Sequence, residues 1–221
     1  MGNIHFKFTG VLLFLIASLF IGCDNDCETQ YEGYGLVKKS NDRQYSILLD
    51  NGIQLYPRES HINPDRLRDS MRLCMLFNIL EETDSSAYVR ILYADTMLTK
   101  AILPYDETIL DSVGQDPVKI TDAWFAHGFL NFQFMFAGRI NSYGSNHAHM
   151  VNLLQCPPEN EKLVFEFRHN DFDDYREKLY YGVVSFPIHH LLADQKKPIP
   201  IKVKYNDTEN STKTIELTYK D

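Results

Sequence analysis

Over most of the chain, apolar and polar positions alternate with a period of two, the spacing of strands that bury one face. Phe129 to Ala137 shows it most cleanly, with Leu130, Phe132, Phe134 and Phe136 on one side and Asn131, Gln133 and Met135 on the other. The same reasoning predicts strands at Tyr31 to Lys39, Met71 to Leu80, Ala87 to Leu98, Met150 to Leu154 and Lys162 to Arg168. It adds Leu179 to Phe186, Ile199 to Tyr205 and Thr212 to Tyr219. Within Ser46 to Tyr56, Asn51-Gly52 separates Leu48-Leu49-Asp50 from Ile53. Asn-Gly tolerates the positive φ of a type I′ turn, so a hairpin is predicted there. His61 to Ser70, with Pro64 and mixed charges, reads as a loop or one helical turn.

These elements fall into two groups and predict an all-β protein. Five strands in the first group predict a small OB-like barrel over residues 31–113, because closure removes exposed strand edges. Ala101 to Lys119 carries Pro104, Gly114 and Pro117 among Asp106, Glu107, Asp111 and Asp116, and reads as a linker or lid with the boundary near Gly114. The second group predicts an immunoglobulin-like β-sandwich over residues 114–221, with Trp124 in its core. A cysteine pair bridging the sheets is missing, so the term describes architecture only.

One segment departs from this alternation. Val11 to Ile21 is continuously apolar, follows Lys7, and ends in Phe20-Ile21-Gly22-Cys23 before Asp24-Asn25-Asp26. The run is shorter than the roughly 20 apolar residues of a membrane span and fits the apolar stretch of a secretory signal. An aliphatic residue and a small residue before cysteine form a lipoprotein cleavage site, with Phe20 standing where Leu is usual. Residues 1–22 are therefore expected to be a lipoprotein signal peptide, Cys23 the lipidated residue, and residues 23–30 a tether. The expected address is the outer membrane or cell surface of a Gram-negative bacterium, and Asp24, Asp26 and Glu28 resemble a signal for surface display. Acyl chains supply such an anchor through burial of methylenes.

Charge narrows the partners. Lys7 leaves with the signal, so the mature 199 residues carry 21 basic against 30 acidic groups. Residues 28–115 hold nine basic and fourteen acidic groups, a balance that opposes a phosphate ligand on the barrel. With Cys23 acylated, Cys27, Cys74 and Cys156 remain, so at most one disulfide can form, and Cys27 with Cys156 is one pairing. Cys74 reads as a small buried apolar residue.

The order of several short blocks resembles the NigD-like lipoprotein family. In the first half these are Tyr34-Gly35-Leu36-Val37, Asp50-Asn51-Gly52 leading to Leu55-Tyr56-Pro57, and Asp69-Ser70-Met71-Arg72-Leu73. In the second they are Asp122-Ala123-Trp124, Gly128-Phe129-Leu130-Asn131-Phe132, Phe165-Glu166-Phe167-Arg168-His169-Asn170 and Val184-Ser185-Phe186. The resemblance implies an N-terminal OB domain and a C-terminal β-sandwich. It supplies no catalytic residues, and the family name points to a bacteriocin-associated gene cluster.

Candidate chemistry is sparse. His147-Ala148-His149 would place two imidazoles on one side of a strand, and His169 or a carboxylate could complete a zinc site, but two histidines are not a site and a solvated loop is the plainer reading. Asp171-Phe172-Asp173-Asp174 gathers carboxylates as a calcium loop does, without the glycine and distal Glu of an EF-hand; an acidic turn is the plainer reading. Gly-x-Ser-x-Gly is absent, and Gly33-Tyr34-Gly35 lacks the third glycine of a dinucleotide fingerprint. Asp111-Ser112-Val113 and Asp95-Thr96-Met97 resemble an O-glycosylation sequon.

The expected function is therefore that of a lipid-anchored envelope protein that binds a protein or glycan. It is expected to be no enzyme, to need no cofactor, and to bind no nucleic acid. A bacteriocin-associated immunity or accessory protein is the alternative, and an uncharacterised envelope enzyme the second.

Overall fold

The computed structural model describes residues 29–40, 44–139, 149–209 and 211–220. Cys23, Cys27 and His147 lie outside these residues. Strands β1 (Gln30–Lys39), β2 (Tyr45–Leu49), β3 (Gln54–Ser60), β4 (Arg72–Glu82) and β5 (Ser86–Thr96) close into a barrel in the order β1-β2-β3-β5-β4. The Asn-Gly turn joins β2 to β3, with Gly52 at φ 89° and the Ile53 amide donating to Asn51 Oδ1 at 3.1 Å. Closure comes from β1 against β4, in register from Gln30 opposite Asn78 to Leu36 opposite Arg72. The segment before β4 forms one 3-10 turn, Pro64–Arg66, capped by Asn63. Val37, Ile47, Leu55, Met75, Val89 and Ile91 fill the barrel interior.

The sandwich begins directly after the barrel. Strands β6 (Leu98–Thr99), β7 (Leu103–Pro104), β8 (Lys119–Ala126), β9 (Phe129–Gly138), β10 (Met150–Glu159), β11 (Lys162–Asn170), β12 (Lys178–Pro187), β13 (Ile199–Asn206) and β14 (Thr212–Tyr219) form two sheets, ordered β14-β13-β11-β10-β7 and β6-β12-β9-β8. Two short helices, α1 (Leu110–Val113) and α2 (His189–Leu192), sit between strands. Leu130, Phe132, Leu153, Phe165, Phe186 and Ile201 are fully buried between the sheets. Gly182 permits this packing, because a Cβ there would lie 2.4 Å from the ring of the buried Phe134.

Three expectations shift. The domains divide between Thr96 and Leu98 rather than near Gly114, because β6 and β7 pair in parallel with β12 and β10. Two-residue strands leave no periodic signal. Strand β8 escaped the period-two reading because its register against β9 slips between Ile120 and Asp122, which breaks the alternation. Trp124 lies outside the sandwich core and faces the barrel instead.

That contact is polar and mostly buried. Arg72 of β4, 1% exposed, extends from the barrel into the sandwich. Its two terminal nitrogens donate to Asp50 at 2.5 and 2.6 Å, and Nε donates to Ser185 Oγ at 3.2 Å. Nη2 also donates to Asn131 Oδ1 at 3.1 Å, which accepts from Ser185 Oγ at 2.6 Å. Trp124 Nε1 donates to Asp50 Oδ2 at 2.8 Å. Around this centre, the Tyr34 ring packs on Trp124 at 5.4 Å, Gln133 donates to the Tyr34 hydroxyl at 3.0 Å, and His127 Nε2 meets the Leu49 carbonyl at 2.9 Å. Asn131 is buried although it faces away from the sandwich core, because its side of β9 is covered by the barrel. Bidentate pairing and satisfied neighbours fix one orientation of the two domains, since any other leaves a buried charge unpaired.

Candidate binding surface

The chain between β11 and β12 makes a turn built from its own carboxylates. Asn170 Oδ1 accepts from the Phe172 amide at 2.8 Å, and Asp171 Oδ1 accepts from the Asp173 amide at 3.0 Å. Such side-chain bonds to nearby amides are what place Asn and Asp in turns. Asp116, before β8, accepts the Asp171 amide at 2.9 Å, and Arg176 bridges Asp171 and Asp116 at 3.1 and 3.0 Å. Asp174 accepts from the amides of Arg139 at 2.7 Å and Tyr175 at 2.8 Å. The acidic run is thus spent on holding main chain and Arg176. Among the described residues, no group of three or more His, Cys, Asp or Glu is placed to hold a metal.

This scaffold holds Phe172 at φ 51° and Asp173 at φ 59°. A left-handed backbone is costly for a bulky side chain, on the order of 1–3 kcal/mol per residue. Phe172 consequently stands 49% exposed and Tyr175 66% exposed, with the Arg139 guanidinium 4.3 Å from the Tyr175 ring centre. Leu179 and Tyr181, two apart on β12 and so on one face, are 61% and 74% exposed. Tyr181, Tyr175 and Leu179 are the most exposed large apolar side chains among the described residues.

Beneath this turn lie two of the three histidines singled out from the sequence. His149 Nδ1 and His169 Nε2 are 2.9 Å apart, and His149 Nε2 is 3.2 Å from Asp174 Oδ2. Phe136 covers both rings at 4.6 and 5.6 Å. Gly138 leaves the space they need, since a Cβ there would sit 3.0 Å from His149 Nε2 and 3.1 Å from Asp174 Oδ2. Main-chain donation from Arg139, and then the His149 hydrogen bond, hold the Asp174 carboxyl below the usual carboxylate range. Burial, and then the neighbouring His149, push the His169 imidazole down to about 4. Among the described residues, neither imidazole is hydrogen-bonded to a hydroxyl or thiol that an acid–base pair could activate.

Elsewhere, Cys74 and Cys156 are free thiols, both half-buried. Burial raises both, Cys156 to about 11, so neither carries the thiolate of a reactive cysteine. Ser112 of the Asp111-Ser112-Val113 string donates to the Ile109 carbonyl at 2.7 Å. Exposure of Phe172, Tyr175, Leu179 and Tyr181 was not anticipated; Asn170-Asp171 before an aromatic was the available signal of a side-chain-capped turn.

Comparison with known proteins places this architecture. Residues 34–97 match the NigD-like N-terminal OB domain and residues 101–219 the NigD-like C-terminal beta sandwich domain. The chain belongs to the NigD-like family. Several solved structures share its two-domain form. One from Parabacteroides distasonis, provisionally described as toxin-related, is 27% identical, with a TM-score of 0.68 over 87% of this chain and 94% of that one. A NigD-like immunity protein from Bacteroides caccae is 19% identical, with a TM-score of 0.66 over 85% and 97%. A Bacteroides fragilis protein provisionally described as a lipoprotein is 15% identical, with a TM-score of 0.62 over 86% and 96%. No curated protein matches the sequence. Among the described residues of this NigD-like chain, no helix is long and apolar enough to cross a membrane.

Proposed function

We propose that this NigD-like protein is a lipid-anchored envelope protein that binds a protein or glycan partner through the Phe172 to Tyr181 end of its sandwich, without catalysis. The observation that carries the reading is the turn itself. Strained backbone and four buried or half-buried polar side chains are used to hold Phe172 and Tyr175 in solvent, next to Leu179 and Tyr181. Rigid aromatic groups bind at low entropic cost, and exposed apolar clusters of this kind mark recognition sites. A photo-activatable residue at Tyr181 is expected to capture that partner on intact cells.

Anchoring rests on Phe20-Ile21-Gly22-Cys23 after the apolar run, supported by the lipoprotein description of the Bacteroides fragilis structure. Cys23→Ala is expected to abolish acyl labelling and move the protein from the membrane to the soluble fraction. Labelling that persists in the variant would exclude Cys23 as the anchor. A second reading, immunity to a bacteriocin-like toxin, is favoured by the description of the Bacteroides caccae structure. It makes the captured partner a secreted toxin, so the same capture experiment separates the two.

A further inference from the structure

We propose that the edge of β12 from Leu179 to Val183 takes up an extended segment of a partner protein as an added strand, a reading that rests on the recognition surface between Phe172 and Tyr181 and narrows its partner to a polypeptide. Strand β12 pairs with β9 along its whole length, from Lys178 opposite Gly138 to Pro187 opposite Phe129. On its other edge, β6 covers only Val184 and Ser185, running parallel to them. The Ser185 carbonyl accepts from the Lys100 amide at 3.0 Å, so Ser185 turns its main chain to that outer edge. Main-chain groups of an antiparallel strand alternate sides, which aims the N–H and C=O of Val183, Tyr181 and Leu179 the same way. Among the described residues, no strand pairs with that stretch.

Other sheet edges of the sandwich are blunted. Strand β8 carries a register slip between Ile120 and Asp122, and β14 sets Lys213 and Glu216 in solvent. Bulges and charges of that kind keep foreign strands off an edge. Leu179-Tyr180-Tyr181-Gly182-Val183 has no charge and no proline, and its register against β9 is unbroken. The exposed side chains of Leu179 and Tyr181 belong to residues whose main chain also faces outward. An added strand would hydrogen-bond to Leu179, Tyr181 and Val183 and lay every second side chain beside Leu179 and Tyr181, the main chain giving affinity and the side chains selection. A glycan has no row of donors and acceptors at the spacing of alternate strand residues, about 6.5–7 Å. A second copy fits poorly, because antiparallel pairing of β12 with itself would drive the copy's β6, which lies on the same edge, into the turn before β12.

The test is photo-crosslinking on intact cells from positions 179 and 181 of the full chain, each adduct being mapped on the partner. Both are expected to land on one segment of one protein, about two residues apart, the period of a paired strand. Val183→Pro removes an outward N–H, spares the bonds to β9, and puts its ring in the path of the added strand. It is expected to lower the adduct yield about tenfold, while Val183→Thr, which keeps the amide, leaves the yield near that of the parent. In the protein alone, the Tyr181 and Val183 amides are expected to exchange with deuterium faster than those of Gly182 and Val184, which face β9. Should Val183→Pro not fold, the adduct positions decide. Scattered adducts, a glycan adduct, a dimer of this chain, or a yield unmoved in folded Val183→Pro overturn strand addition but leave the recognition surface standing. Equal exchange of the four amides shows the edge to be covered already and likewise overturns it. No adduct from either position overturns both.

Discussion

Arg72→Ala is expected to lower stability by about 3–5 kcal/mol, the cost of leaving one member of a buried ion pair without its partner. Asp50, whose side chain is 13% exposed, would keep Trp124 as a donor but lose both guanidinium bonds. Asn131 and Ser185 would each lose their Arg72 donor in the same event. The loss falls on the contact between barrel and sandwich, so urea unfolding should separate into two transitions, the two domains no longer melting together. Replacing the pair with Arg72→Met and Asp50→Leu should restore part of the stability, since apolar side chains of similar volume need no partner. A variant Arg72→Ala within about 1 kcal/mol of the parent, melting in one transition, would show that the network contributes nothing net.

Gly114→Ala is the second large effect. Gly114 sits at φ 70° and ψ 178°, a region open to glycine alone. A Cβ there would lie 2.6 Å from the His169 carbonyl oxygen and 2.7 Å from Asn170 Cα. Those are main-chain atoms of β11, and the His169 carbonyl is already tied to the Asp116 amide at 2.8 Å, so neither can yield cheaply. Backbone strain and overpacking together cost about 3–5 kcal/mol. In a chain of this size that lowers Tm by roughly 6–20 °C, read by thermal melting. A shift under about 2 °C would mean that β11 relaxes around the methyl group.

Period-two alternation carried most of the architecture, because a strand with one buried face writes that face into its sequence. Leu130, Phe132 and Phe134 point inward as read. Alternation is silent where a strand is two residues long, as in β6 and β7, or bulged, as in β8. It also assigns only two environments, core and solvent. Asn131 and Trp124 occupy a third, the contact between domains, and were misread for that reason. Tyr34, Asp50, Arg72, Trp124, Asn131 and Ser185 all come from blocks that carry the family resemblance, yet their convergence is visible only in three dimensions. At the candidate surface, the acidic run suggested a ligand set for calcium because sequence shows which oxygens are near one another but not which amides they face. His149 and His169, 20 positions apart in sequence, lie side by side; their meeting depends on Val151 lying opposite His169 across two strands.

The central claim is that the sandwich end bearing Phe172, Tyr175, Leu179 and Tyr181 is a recognition surface. It is tested most directly by photo-crosslinking on intact cells from position 181, with position 93 of the barrel as the control, since Tyr93 is also well exposed at 56%. The account predicts a reproducible adduct of one mass from position 181 and none from position 93. No adduct from position 181, or the same adduct from both positions, would contradict it.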